Sequence, residues 1–146
     1  MLMHATSVAL TGLGRSWRAV LLRGPSGAGK SDLALRLIDA GGRLIADDQT
    51  HLERKGQALI ASAPRAIAGR MEVRGVGIVR LPRARLIARA PVALLVDLVA
   101  TDKVERMPEP AQEMQQGIAL PLLALAPFEA SAVAKLRLAL IRTAAA

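Results

Sequence analysis

Eight consecutive residues, Gly24-Pro25-Ser26-Gly27-Ala28-Gly29-Lys30-Ser31, follow the spacing G-x-x-x-x-G-K-[ST]. Glycines at those positions free the backbone to wrap around phosphate oxygens, so that the loop amides become the cradle. Lys30 is placed to reach the β- and γ-phosphates of a nucleotide and the Ser31 hydroxyl to reach Mg²⁺, while a following helix turns its positive end towards the anion. The guanine-selecting N-K-x-D pattern is absent, Thr101-Asp102-Lys103-Val104 being a loose echo, so ATP is the expected nucleotide.

A phosphate loop does not by itself separate a kinase from an ATPase or a motor, and two acids compete for the work beside it. Val92 to Val96 followed by Asp97 reads as a strand delivering a metal-associated carboxylate, which predicts a small-molecule kinase. Asp47-Asp48, after Arg43 to Ala46, is the other candidate, because adjacent carboxylates repel and that repulsion makes one of them a usable base or acid. The plain structural alternative for this pair is the start of a turn. A nucleotide-binding sensor that transfers nothing is a third reading of the same loop.

These residues need elements to hold them. The apolar run Ala19 to Arg23 predicts a buried strand feeding the loop, with Ser7 to Leu10 pairing beside it. Leu33, Leu35, Leu37 and Ile38 recur at helical spacing up to Gly41-Gly42, which supplies the termination. Arg43 to Ala46 is then a second strand with Asp47-Asp48 at its carboxyl end, where ligands gather in open α/β sheets. Further on, Glu53 to Gly56 predicts a hairpin turn and Ala58 to Ala61 a returning strand. Met71 to Val79 predicts an extended segment with a bulge or a close backbone approach around Gly75 and Gly77, and Pro108 to Gln116 a loop. Leu120 to Leu125 reads as a proline-interrupted edge strand and Ala130 to Thr143 as an amphipathic helix with Lys135, Arg137 and Arg142 outward. The fold class expected is α/β, a P-loop kinase domain with a mixed, mainly parallel sheet, and residues 1–146 form one domain without repeat or linker.

The 146 residues leave room for a single core. Apolar runs fall short of the ~20 residues that cross a bilayer, no secretory signal is evident and cysteine is absent, so a soluble cytoplasmic protein without membrane association is expected. The net charge of +8 rests on 20 basic residues against 12 acidic ones, and all but Lys30, Lys55, Lys103 and Lys135 are arginines. Those arginines are scattered, Trp17 and Phe128 are the only aromatics, and stacking platforms for nucleic acid are missing. Nucleic acid is therefore not an expected partner. Arg80, Arg83, Arg85 and Arg89 read as a solvated edge or, equally, as a segment that steers an acidic protein partner.

Four features in order, His4, the loop Gly24 to Ser31, Ala46-Asp47-Asp48, and Met71-Glu72-Val73-Arg74-Gly75-Val76-Gly77-Ile78, resemble the HPr kinase/phosphorylases. The last segment discriminates, since an ordinary P-loop kinase has no reason to carry Glu-x-Arg-Gly-x-Gly after an Asp-Asp pair. The resemblance implies an ATP- and Mg²⁺-dependent kinase acting on a serine of the phosphocarrier protein HPr, with phosphorolytic reversal. It implies Asp47 as catalytic acid/base supported by Asp48, Ser31 and Glu72 at the Mg²⁺ site, Lys30 on phosphate and His4 lining the same site. Arg106 resembles an arginine supplied across a subunit boundary, and the family's hexamers imply a homo-oligomer. The segment corresponds to the catalytic domain alone.

Overall fold

Ala19 to Leu22 is completely buried, as a strand covered on both faces and on both edges must be. In the computed structural model, which describes residues 1–11, 14 and 16–145, this run lies within β3 (Trp17–Arg23), after β1 (Leu2–Met3) and β2 (Thr6–Thr11). There follow α1 (Lys30–Asp39), β4 (Arg43–Ala46), β5 (Thr50–Lys55), β6 (Ala58–Ser62), β7 (Arg70–Val73) and β8 (Gly77–Arg80). The chain then forms β9 (Arg89–Leu98), β10 (Ala111–Gln115), β11 (Ile118–Leu125) and α2 (Ala132–Ala145).

The main sheet is mixed, in the order β1-β5-β6-β9-β3-β2-β4, with β11 and then β10 branching from β9. Parallel pairing is concentrated at its centre, β3 with β9 and β9 with β11. The strands around that centre pair antiparallel. β9 is long enough to change partner: Arg89 to Pro91 pair with β6, and Leu95 to Leu98 pair with β11. The alternation of a strand then builds two cores. Val20 and Leu22 pack with Val96, Leu33, Leu37 and Leu136 on the helical face, whereas Ala19 and Leu21 pack with Leu95, Leu52 and Leu59 where the β5–β6 hairpin covers the other.

Several sequence expectations need correction. Glu53, Arg54 and Lys55 belong to β5, and the turn is confined to Gly56 and Gln57. Met71 to Val79 is a β7–β8 hairpin, not a bulged strand, because Gly75 (φ 87°) and Gly77 (φ 113°) turn the chain back on itself. The expected loop Pro108 to Gln116 contains β10. β11 is an interior strand between β9 and β10; Pro121 is tolerated because the β9 ladder begins only at Leu122. Two of the arginines assigned to solvent also have structural partners: Arg85 donates to the Ile38 carbonyl at 2.7 Å and Arg137 to that of Ala40 at 2.8 Å. Cations there satisfy the orphan carbonyls and the negative end of α1, which fixes the helix that carries the phosphate loop. Among the described residues, no helix is long and apolar enough to cross a membrane.

Candidate functional site

The loop from Gly24 to Gly29 closes tightly between β3 and α1. Gly29 caps α1 at φ 101°, a left-handed conformation that favours glycine, and its carbonyl accepts the Leu33 amide at 2.9 Å. The Lys30 side chain is 6% exposed, and its ammonium donates to the carbonyls of Gly24 at 2.7 Å and Pro25 at 3.2 Å. The positive charge is thus held inside the curl of the loop.

A cleft of about 450 Å³ opens over this loop, with Ser26, Gly27, Gly29, Lys30 and Ser31 on its floor. Asp47, Asp48, Glu72, Val73 and Arg74 line its wall. Asp47 is reached because β4 ends at Ala46 beside β2, and its carboxylate collects three donors. Oδ1 accepts from Ser31 Oγ at 2.8 Å and from Thr6 Oγ1 at 3.3 Å; Oδ2 accepts from the Glu72 amide at 3.0 Å. The phosphate loop, β2 and the β7–β8 hairpin meet on this one side chain.

Asp48 diverges from its neighbour. It sits at φ 66°, a conformation that aspartate tolerates better than most residues. Its amide donates to Thr6 Oγ1 at 3.0 Å, and its carboxylate lies 2.6 Å from His4 Nε2. The two carboxylates therefore have separate partners, and hydrogen bonding distinguishes Asp47. His4 is joined to the site through Asp48 and does not itself line the cleft.

Asp97 is elsewhere. Arg23, its register partner across β3 and β9, donates to Oδ1 at 2.7 Å and to Oδ2 at 3.2 Å. The same guanidinium forks onto Glu113 of β10 at 2.7 and 2.8 Å. Hydrogen bonds donated to Glu113 and then to Asp97 raise the proton affinity of Arg23, and Arg23 in turn holds the Glu113 carboxyl below its usual range. The acid expected in an ordinary metal role thus ties three strands together. Arg106 is exposed in the loop after β9 and lies outside the cleft of its own chain.

The donors facing the loop are all oxygens: the Ser31 hydroxyl and the carboxylates of Asp47, Asp48 and Glu72. No cluster of His, Cys, Asp or Glu large enough for a complete metal cage occurs among the described residues. Such a set fits a hard cation such as Mg²⁺, which keeps waters and phosphate oxygens in its shell and takes only one or two protein groups. Thr6 escaped the sequence reading. Its signal is faint, a polar residue in an otherwise apolar strand, yet it is fully buried and bonds both members of the Asp pair.

Comparison with known proteins gives a consistent result. The family model described as HPr Serine kinase C-terminal domain matches residues 1–134. An HPr kinase/phosphorylase of Exiguobacterium sp. is 44% identical over 78 residues, which is 53% of this chain and 24% of that protein. One from Chlorobium phaeobacteroides is 44% identical over 82 residues, 56% of this chain and 23% of that protein. The aligned part thus spans about a quarter of these relatives' length. The solved structure of the Hpr(Ser) kinase/phosphatase from Coxiella burnetii superposes with a TM-score of 0.82 at 26% identity, covering 99% of this chain and 90% of that one.

Proposed function

Since the chain belongs to the family of HPr serine kinase C-terminal domains, we propose that it transfers the γ-phosphoryl group of ATP to a serine of the phosphocarrier protein HPr. Phosphorolysis of phosphoserine-HPr by inorganic phosphate, yielding HPr and pyrophosphate, is the dephosphorylating reaction of the same site. The observation that carries this reading is Asp47, held against the phosphate loop by Ser31 Oγ at 2.8 Å and by the Glu72 amide at 3.0 Å.

The loop amides of Gly24 to Ser31 and the Lys30 ammonium bind the phosphates. Ser31 and Glu72 would hold Mg²⁺, which when bound would offset the charge of the phosphoryl oxygens. Asp47 takes the proton of the attacking seryl hydroxyl as the Ser O–P bond forms and the β–γ bridging P–O bond breaks, releasing ADP. In phosphorolysis inorganic phosphate attacks the phosphorus, the Ser O–P bond breaks with pyrophosphate formed, and the same carboxyl gives its proton to the departing serine oxygen. Asp48, restrained by His4 and Thr6, keeps the turn after β4 in the one conformation that aims Asp47 at the loop. Arg106, exposed and outside the cleft of its own chain, acts across a subunit boundary in a homo-oligomer. Positioning and charge neutralisation supply the rate, with no covalent enzyme intermediate.

Incubation with ATP, Mg²⁺ and HPr, followed by mass spectrometry, is expected to reveal one phosphoserine on HPr. A protein that binds ATP under these conditions and leaves HPr unmodified would overturn the assignment in favour of a nucleotide-dependent sensor.

A further inference from the structure

Among the exposed large apolar side chains of the described residues, Phe128 alone lines the phosphate-loop cleft, and 71% of it faces solvent. Its ring lies across the last glycine of the loop: a Cβ on Gly29 would stand 2.8 Å from Phe128 Cζ and 3.2 Å from Cε1. The segment beneath the ring is fixed. The Pro127 carbonyl accepts a hydrogen bond from Arg36 of α1, Arg36 is paired with Asp32, and Ala126 is buried.

The parallel strands β3, β9 and β11 open their carboxyl ends on the same side of the sheet, the side on which ligands of such sheets bind. The phosphate loop follows β3, and Phe128 follows β11. Around α1, Ser31 faces Asp47 and the reaction end of the cleft, whereas Asp32 and Arg36 occupy the neighbouring face, towards Pro127 and Phe128. A triphosphate lying along the loop with its terminal phosphate at Asp47 therefore carries its nucleoside towards the exposed ring.

Resting on the reading of ATP as phosphoryl donor, we infer that Phe128 is the platform on which the nucleotide base stacks. Every base has a π-face, so such a platform selects nucleotides over bare polyphosphate without choosing between adenine and guanine.

Calorimetric titration of the full chain with ATP, GTP and inorganic tripolyphosphate tests this. Phe128→Ala is expected to weaken ATP and GTP each by about tenfold, as loss of a base–aromatic stack does. Tripolyphosphate binding stays within about twofold, since it depends on the loop amides and Lys30 and not on the ring, and Phe128→Trp restores nucleotide affinity. Unchanged ATP affinity in Phe128→Ala would overturn the inference. So would an equal loss for tripolyphosphate, which would mean that the ring acts by shaping the loop, or a defect confined to the KM for HPr, which would make it a docking contact. Failure of the wild-type chain to bind ATP is a separate result that would sink the donor assignment and this inference together.

Discussion

Ser31 Oγ donates to Asp47 Oδ1 over 2.8 Å, which joins the first turn of α1 to the end of β4. The same Oδ1 accepts from Thr6, and Oδ2 is occupied by the Glu72 amide. Two lone pairs of this carboxylate thus face hydroxyl groups whose protons are free to rotate. One of those hydroxyls belongs to the phosphate motif itself, so the acid is held directly against the loop.

Replacing Asp47 by Asn should lower phosphotransfer to HPr by roughly 10²–10⁴-fold, the usual contribution of a positioned general base, while ATP binding by calorimetry is retained. Asp97→Asn should instead keep turnover and lose on the order of 1 kcal/mol of stability, the scale of a partly exposed ion pair. A radiolabel transfer assay on the two variants decides between the two acids: full activity in Asp47→Asn, or inactivity confined to Asp97→Asn, contradicts the proposed roles.

Thr6→Val removes one hydroxyl and keeps the shape. Its loss leaves the Asp48 amide without its acceptor, a cost of about 1–3 kcal/mol for a buried donor, and frees Asp47 on one side. Turnover is expected to fall about tenfold with the KM for ATP little changed, since the positioning of a catalytic group is affected more than binding. Thr6→Ser should recover most of the loss. An equal fall in the serine variant would show that packing, and not the hydroxyl, matters.

Glu113 gives the fold a pH dependence of known sign. Arg23 depresses its carboxyl in the folded chain, so the unfolded chain binds the proton more tightly. The stabilisation is complete above the ordinary glutamate value of about 4.3 and drains away as pH falls through the lower, folded value. In urea unfolding, wild type should therefore exceed Glu113→Gln near neutrality, and the gap should close as the solution is brought below about pH 4. A gap independent of pH would mean that the Arg23 contact is not electrostatic.

Gly29→Ala meets two obstacles at once, a left-handed φ of 101° and a Cβ only 2.8 Å from the Phe128 ring. Backbone strain of this kind costs about 1–3 kcal/mol, and nucleotide affinity should drop because the cradle opens. Adding Phe128→Ala removes the steric part only, so the double variant should regain some thermal stability but not nucleotide binding.

Much of this site is legible in the sequence because its parts are local. Strand, glycine loop and helix N-terminus are contiguous from Trp17 to Asp39, and Asp47 follows a strand that ends where the apolar run does. What escaped depends on distant partners. Thr6 acquires its role only through residues 41 and 42 positions away. β10, Ala111–Gln115, has no buried residue and little alternation, so pairing with β11 creates the strand without any apolar pattern to announce it. In the β7–β8 hairpin, Gly75 and Gly77 fit both a bulge and a turn, and only the register of Arg70 with Arg80 decides. Asp97 was a reasonable rival because nothing near it in the chain reveals Arg23 as its partner.

β4 is the last strand of its sheet. A base mounted just past that border stands at the rim of the cleft, where a bulky substrate can present a single side chain from outside without threading its own fold into the cavity.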